Sequence, residues 1–273
     1  MINISTNYYE SSHMFHGNMS IIMGTRLDVI LLGQEKYRLE AAWNRVQEEV
    51  IRLDKMLNRF DPESEIYVLN QTASHNPAKV NDELWHILLH CKQYYTLTEG
   101  YFDISLKDYS RVVLEQATQT VLFDIPDIYL DLGGYAKGYA LNKMREILQQ
   151  EGITQALINF GNSSVLGIGS HPYGDCWSVG IDNPYCPGEI LGEVQLKDSA
   201  MSTSGNMPSH PQHIVNPMTH EYITEHKLVT IIASDAVDAE VLSTVLMATD
   251  TEQAERIKQR FTIDYSRIFI LPG

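Results

Sequence analysis

The sequence predicts an α+β fold in which a mostly antiparallel sheet packs against helices. Short, often β-branched segments follow one another between residues 155 and 234, separated by Gly, Pro and Asn turns. Helical patterns are grouped before and after these segments, which favours antiparallel pairing over alternating βαβ units. No Pro-, Gly- or Ser-rich linker marks a domain boundary. We predict a poorly ordered extension over residues 1–18 and one domain over residues 19–273.

The first half of the chain contains one predicted strand and two predicted helices. Residues 20–32 are aliphatic and β-branched, and they predict a long strand interrupted at Gly24. From residue 35 to about residue 57, apolar positions recur every three or four residues, as in a long amphipathic helix. A second helix is predicted to start near Asn81. The chain that follows is predicted to be irregular up to Pro126.

The second half is dominated by strands. Short apolar segments bounded by turn residues predict strands over 155–160, 163–169, 176–182, 190–196, 199–205, 213–217 and 228–234. Two helices are predicted next, over about 236–248 and 252–261, and a last strand over 262–271. Together these segments predict a sheet with helices packed against it.

Charge and composition exclude several classes of protein. Hydrophobic residues make up 44% and charged residues 20% of the chain, as in a soluble globular protein. The formal net charge of −15 argues against nonspecific binding to nucleic acid or anionic lipid, because both depend on a positive surface. No apolar stretch approaches the roughly 20 residues that a membrane span requires. We therefore expect neither a nucleic-acid partner nor a membrane span.

The cysteines and the N-terminus bear on the compartment. Cys91, Cys176 and Cys186 are an odd number of cysteines, which favours free thiols in a reducing compartment. The first residues lack the basic and apolar regions of a secretory signal and offer no cysteine for lipid attachment. We expect a cytoplasmic protein for the sequence as written, or an extracytoplasmic one if a leader was removed.

A glycine-rich run, LDLGGYAKG over residues 130–138, leads into an amphipathic segment that is predicted to be a helix ending at Gly152. A turn of this kind directs unpaired N–H groups and the positive end of the helix dipole at one point, which suits an anion. Lys137 adds a mobile positive charge. The competing interpretation is a tight turn without a ligand, and the P-loop pattern is absent. The run alone does not decide between them.

Glu240 and Thr244 stand one turn apart on the helix predicted from residue 236. A carboxylate and a hydroxyl on one helix face offer two hard oxygen ligands, which suits Mg²⁺ if a phosphate supplies further ligands. The competing interpretation is that acidic residues near the start of a helix only complement its dipole. Both interpretations stay open on these residues.

Two further polar candidates follow the glycine-rich run. Ser202, Thr203, Ser204 and Gly205 form a hydroxyl-rich turn that suits phosphate or ribose, or an ordinary turn at the end of a strand. His213 lies between a proline-containing turn and a short strand, where a neutral imidazole can act as a general base. It is one of 10 histidines, so a place on the polar surface is the competing interpretation.

Met23 and Phe60 are candidates for holding a flat ring. A thioether and an aromatic face both pack well on a π-system. The competing interpretation is that both side chains belong to the core.

Taken in order along the chain, the motifs resemble the ApbE family of flavin transferases. The residues that carry the resemblance are MGTRLDV (23–29), LNRFDPESEIYVLN (57–70), EGYFDIS (99–105), LDLGGYAKGYALNKM (130–144), INFGNS (158–163), MSTSGN (201–206), HIVNPMT (213–219) and VTIIASDAVDAEVLSTVL (229–246). They cover most of the chain. The resemblance implies an α+β fold and a single ApbE-like domain over residues 19–273.

The resemblance also implies a ligand and a reaction. FAD is expected in a cleft, with its isoalloxazine ring near Met23 and Phe60 and its pyrophosphate against the LGGYAKG turn. A Thr or Ser hydroxyl of a target protein attacks the FMN-side phosphorus and AMP leaves. The implied cofactor-binding residues are Met23, Phe60, Asp103, Gly133, Gly134, Ala136, Ser202, Thr203, Ser204 and Gly205.

The remaining implied roles concern the metal and the proton. Mg²⁺ is expected on Glu240, Thr244 and the carbonyl of Ala136. Lys137 is expected to stabilise developing charge and His213 to transfer a proton. The family's usual metal-binding Asp is Glu240 here, and its H-x-x-D-P-x-T-G segment reads HIVNPMTH over residues 213–220. These two substitutions leave flavin binding without catalysis as one alternative to transfer. Hydrolysis of FAD to FMN and AMP, with water in place of the target hydroxyl, is another.

Overall fold

The computed structural model describes residues 2–208 and 214–271. Within that part of the chain, eight strands form one antiparallel sheet in the order β1-β2-β3-β7-β8-β11-β12-β13. Its strands are β1 (Asn3–Tyr9), β2 (Met14–Ile22), β3 (Thr25–Leu32), β7 (Ala156–Phe160), β8 (Ser164–Ile168), β11 (Ser199–Gly205), β12 (Lys227–Ala233) and β13 (Tyr265–Ile270). The prediction of an α+β fold with a mostly antiparallel sheet is confirmed.

Smaller sheets and the helices complete the described part of the chain. One small sheet pairs β4 (Ala78–Lys79), β6 (Thr120–Phe123) and β5 (Val112–Glu115), and another pairs β9 (Trp177–Asp182) with β10 (Ile190–Leu196). The helices are α1 (Lys36–Leu57), α2 (Glu65–Thr72), α3 (Asp82–Leu97), α4 (Ala136–Gln150), α5 (Ala236–Ala248) and α6 (Thr251–Lys258). Helix α5 packs on β11 and β12, and α4 packs between α1 and α5.

The large sheet is covered on both faces near β12, and all seven residues of that strand are buried. Val229, Ile231 and Ala233 belong to the main core on the helical side, whereas Leu228 and Ile232 pack with a second cluster that includes residues of β9 and β10. A strand that is buried on both faces reads as a continuous apolar run instead of alternating. Helix α5 therefore packs on an apolar face of the sheet formed by β11 and β12.

The structure corrects the prediction for the first 32 residues. Residues 1–18 were expected to be poorly ordered, but β1 pairs with β2 along its whole length at the edge of the sheet. Residues 20–32 are not one interrupted strand, because the chain reverses between β2 and β3. Met23 (φ 48°) and Gly24 (φ 76°) both adopt positive φ at this reversal, as a two-residue hairpin turn requires.

Three other local predictions need correction. Helix α2 was not predicted, although Ser64 caps it by accepting from the Tyr67 N–H at 3.1 Å. The stretch before Pro126 is not wholly irregular, because it contains β5 and β6. The strand predicted over 213–217 reduces, in its described residues, to an isolated bridge between Val215 and Tyr222.

A helix that crosses a lipid bilayer needs roughly 20 mostly apolar residues. Among residues 2–208 and 214–271, none of the helices combines the length and the apolar character that a membrane crossing needs.

Candidate active site

The glycine-rich run is anchored by Asn70 of α2. The Asn70 side chain donates to the Leu130 carbonyl at 2.9 Å and accepts from the Leu130 N–H at 2.8 Å. Further along the run, the Asp131 carboxylate accepts from the Gly133 N–H at 2.9 Å. Asn70 is buried, so its bonds to Leu130 are shielded from water. These contacts fix the backbone of the run before α4 begins at Ala136.

Replacing Asn70 with alanine is expected to lower the free energy of unfolding by about 1–3 kcal/mol, because it leaves a buried N–H and a buried carbonyl without their partner. Urea denaturation measures the change. Gln71→Ala is the matched control, since Gln71 is an exposed neighbour on the same helix, and we expect a change within about 0.5 kcal/mol there. Equal stability of the two variants would show that Asn70 does not anchor the run.

Helices α4 and α5 touch backbone to backbone at their first turns. An ideal Cβ on Gly138 would lie 2.6 Å from the Ala236 carbonyl oxygen, so glycine permits this close approach. Asn142 of α4 donates to the carboxylate of Asp235 at 2.9 Å, and the same carboxylate caps α5. The start of α4 and the start of α5 are therefore held together. This contact brings the glycine-rich run to the acidic helix.

Glu240 is the buried carboxylate at this junction. Its side chain is 5% exposed, and its Oε1 forms an ion pair with the Lys137 ammonium. Ser164 and Ser202 donate to its Oε2 at 2.6 and 3.0 Å. Burial of a charge is costly unless the charge is paired and hydrogen-bonded. The ammonium and the two hydroxyls meet that requirement for Glu240.

Hydroxyl groups continue from Glu240 toward the surface. Ser243 Oγ lies 3.0 Å from Ser202 Oγ and 2.8 Å from Ser204 Oγ. Ser204 Oγ lies 3.3 Å from Thr244 Oγ1, and Thr244 also donates to the backbone carbonyl of Glu240 at 3.2 Å. Each hydroxyl can accept as well as donate. This cluster therefore offers both donors and acceptors to a polar ligand.

Lys137, Ser204, Glu240 and Thr244 line a cleft of about 750 Å³, a volume within the usual range for small-molecule sites. Its wall combines the glycine-rich turn and the hydroxyl cluster with apolar side chains. The apolar lining residues are Tyr101, Phe102, Ile104, Leu106, Met207, Ile214, Val215, Pro217 and Tyr222. A ligand with a charged part and a flat apolar part suits this composition.

The cleft brings together most of the residues predicted for the site. The predicted residues that line it are Asp103, Gly133, Gly134, Lys137, Thr203, Ser204, Gly205, Glu240 and Thr244. Ala136 and Ser202 are buried and do not line it. His213 lies outside the described residues. The roles assigned to all of these residues stay predictions.

Met23 and Phe60 are not brought together at the cleft wall. Met23 lies in the turn between β2 and β3, and Phe60 is 75% exposed. Neither side chain lines the cleft, and Phe60 is not in the core either. Their expected contact with a flat ring stays a prediction.

Arg59 lines the cleft and was not among the predicted site residues. Its Nε lies 3.1 Å from Asp131 Oδ2, and its guanidinium carbon lies 4.3 Å from the centre of the Phe60 ring. Arg59 therefore connects Phe60 to the glycine-rich run. Its signal was its place next to Phe60 in the LNRFDPESEIYVLN motif. Thr25 and Ser163, which also line the cleft, likewise lie within quoted motifs.

Asp103 organises the loop on another side of the cleft. Its carboxylate accepts from the Ser105 N–H at 2.7 Å and from the Tyr109 N–H at 3.1 Å. Burial raises the pKa of the Asp103 carboxyl above its usual value, and the bonds from Ser105 and Tyr109 offset part of that increase. Both carboxylate oxygens are thus engaged by their own loop.

Glu240 and Thr244 line the same cleft and carry oxygen ligands of the kind that suits a hard divalent cation. The Glu240 carboxylate, the Thr244 hydroxyl and the Ala136 carbonyl belong to the class of ligands that Mg²⁺ prefers. Glu240 Oε1 already faces a cation, the Lys137 ammonium. Across residues 2–208 and 214–271, no group of three or more His, Cys, Asp or Glu side chains is placed to hold a metal ion. A Mg²⁺ on these oxygens would take its remaining ligands from water and a phosphate.

Known proteins match this chain in sequence. The model of the ApbE family matches residues 23–120 and 105–266. A FAD:protein FMN transferase from Klebsiella pneumoniae (strain 342) is 25% identical over 86% of this chain and 79% of that protein. One from Salmonella typhimurium is 24% identical over 87% of this chain and 79% of that protein.

Solved structures share the fold. An ApbE protein from Thermotoga maritima superposes with a TM-score of 0.79 at 20% identity, covering 99% of this chain and 97% of that one. The flavin transferase ApbE from Vibrio cholerae gives a TM-score of 0.77 at 19% identity, covering 99% of this chain and 94% of that one. Since the family model matches well over half of the chain, this protein belongs to the ApbE family.

Proposed function

We propose that this protein is a FAD:protein FMN transferase. In the proposed reaction it binds FAD in the cleft and, with Mg²⁺, transfers FMN to a Thr or Ser hydroxyl of an acceptor protein, releasing AMP. The observation that carries the proposal is the meeting of Lys137 and Glu240 beside the glycine-rich turn, within one cleft. N–H donors, a mobile cation and a carboxylate that can share a metal are groups that suit a pyrophosphate. The flavin chemistry of the proposal is taken from relatives that are named FAD:protein FMN transferases.

In the proposed reaction the acceptor oxygen forms a bond to the FMN-side phosphorus, and the bond from that phosphorus to the oxygen bridging to AMP breaks. The acceptor hydroxyl loses a proton, and the AMP phosphate leaves with the electron pair. Mg²⁺, when bound, supplies positive charge for the phosphate oxygens. The Lys137 ammonium can follow the charge that develops on the leaving AMP phosphate. We assign removal of the proton to His213.

The residues of the cleft position the two parts of FAD. The Gly134 N–H and the hydroxyls of Thr203 and Ser204 are the donors that we assign to the pyrophosphate and ribose. The apolar part of the lining can exclude water from the isoalloxazine ring. Exclusion of water strengthens the attraction between Lys137 and the phosphates.

Chromatography of the products tests the proposal. The purified protein is incubated with FAD and Mg²⁺, with and without a Thr-containing acceptor peptide, and AMP, FMN and flavinylated peptide are measured. Transfer predicts AMP and modified peptide in equal amounts. AMP and free FMN without peptide would indicate hydrolysis instead. Saturable FAD binding without any AMP would indicate a flavin-binding protein without catalysis.

A further inference from the structure

We propose that Ser164 and Ser202 are positioning residues that adapt this site to a glutamate at position 240. In this arrangement the serines hold one carboxylate oxygen, and the other is presented to the cation in the cleft. The inference rests on the proposed function, because the cation is the Mg²⁺ of the transfer reaction. In this proposal Ser164 and Ser202 do not bind the cation themselves and act through Glu240.

The first argument is that the two carboxylate oxygens of Glu240 have different partners. Oε2 accepts from Ser164 and Ser202 at 2.6 and 3.0 Å, whereas Oε1 pairs with Lys137. Hydroxyl donors on one oxygen fix the rotation of the carboxylate. That rotation directs Oε1 toward the cation on the cleft side. The serines therefore set the direction in which Glu240 presents its charge.

The second argument is the position of these serines in the sheet. Ser164 is fully buried in β8, all five residues of which are buried, and Ser202 is 2% exposed in β11. Central strands that are covered on both faces normally carry apolar side chains. Burial of a hydroxyl without a hydrogen-bond partner destabilises the folded state. Polar residues at these two positions are explained by the carboxylate that they bind.

The third argument is the length of the side chain at position 240. An aspartate is shorter by one carbon–carbon bond, or about 1.5 Å. Drawn back by that distance toward α5, its carboxylate would leave Ser164 and Ser202 beyond the usual range of a hydrogen bond. The serines therefore match a glutamate, and Glu240→Asp is expected to weaken the cation site.

Binding of Mn²⁺, measured by electron paramagnetic resonance on the protein without FAD, tests the inference. Ser164→Ala and Ser202→Ala are each expected to weaken Mn²⁺ binding by about 10- to 100-fold, the usual effect of removing a group that orients a metal ligand. Ser199→Ala is the matched control, because Ser199 is a buried serine on the same strand whose hydroxyl accepts from the Lys197 N–H. It is expected to leave Mn²⁺ affinity unchanged.

A second comparison separates positioning from a general loss of stability. In protein carrying Glu240→Asp, the further change Ser202→Ala is expected to have no additional effect on Mn²⁺ affinity, since the shorter carboxylate no longer reaches the serine. Additive losses would overturn the inference, as would serine variants that bind Mn²⁺ like the wild type. Binding by the wild type that is no tighter than binding by Glu240→Gln would also overturn it.

The same series distinguishes this inference from the proposed function. Mn²⁺ binding is measured without FAD, and AMP release is measured separately. If the wild type binds Mn²⁺ through Glu240 and the serines but releases no AMP, the proposed transfer is wrong and the positioning role stands. If AMP and flavinylated peptide form in equal amounts but the serine variants bind Mn²⁺ like the wild type, the proposed transfer stands and the positioning role is wrong.

Discussion

Replacing Lys137 with alanine is expected to lower the rate of AMP release from FAD by about 10²- to 10³-fold, the usual effect of removing one preorganised group that stabilises developing charge. Lys137 lies at the start of α4 beside the glycine-rich turn, and its ammonium is held against Glu240. Release from Glu240 toward a phosphate would require only rotation of a flexible side chain. The measurement is chromatography of AMP under saturating FAD and Mg²⁺.

Lys143→Ala is the control for this substitution. Lys143 lies on the same helix and pairs with Glu146 at 3.1 Å, and it does not line the cleft. We expect its rate of AMP release to equal that of the wild type. If Lys137→Ala releases AMP at the wild-type rate, Lys137 has no role in the reaction.

Loss of stability must be separated from loss of catalysis, because Lys137→Ala leaves Glu240 buried without its counter-ion. Breaking a buried pair costs about 3–5 kcal/mol, whereas replacing both partners by neutral groups can be nearly neutral. The double variant Lys137→Met with Glu240→Gln is therefore expected to regain most of the stability and none of the activity. Recovery of AMP release in the double variant would mean that the pair serves only the fold.

Several elements of this fold follow from local rules in the sequence. Helix α5 has the bounds that were predicted, Ala236–Ala248, because Asp235 caps it with its side chain and β12 ends just before it. The end of α4 is marked equally well by Gly152, which adopts a φ of 72°. Apolar periodicity and capping residues act within a few positions, so a single sequence carries them.

Edges and reversals were harder to predict. Strand β1 is mostly exposed, so it lacks the alternation of apolar and polar residues that marks a half-buried strand. The reversal at Met23 and Gly24 carries only half of the usual signal for a hairpin turn, because a methionine rarely adopts positive φ. Pairing with the rest of the sheet decides both features.

The site was predictable as a list of residues but not as a set of contacts. Lys137 and Glu240 are 103 residues apart, and the resemblance to the family placed them near one ligand without indicating their ion pair. Ser164 lies in a wholly buried strand, and nothing local distinguishes it from a core residue. Its partner depends on which helix packs on the sheet, and that is a property of the whole fold.

Replacing Gly138 with alanine is expected to lower the free energy of unfolding by about 1–3 kcal/mol or more, because the new methyl group meets backbone. Its ideal position lies 2.6 Å from the Ala236 oxygen and 2.9 Å from the Val237 Cα. Alanine in place of glycine in a helix would by itself contribute about 1 kcal/mol of stability. The clash outweighs that gain, because the methyl group would meet backbone atoms at the start of α5. Backbone atoms cannot move away as easily as the end of a flexible side chain.

Thermal unfolding and AMP release together measure the effect of Gly138→Ala. A loss of 1 kcal/mol corresponds to roughly 2–4 °C in Tm for a chain of this size class. AMP release is expected to fall as well, because any shift of α5 away from α4 separates Glu240 from Lys137. Gly180→Ala is the control, since its Cβ would meet the Ile190 side chain at an ordinary 3.6 Å. If both glycine variants unfold at the wild-type temperature, the contact between α4 and α5 is not what sets the geometry of this cleft.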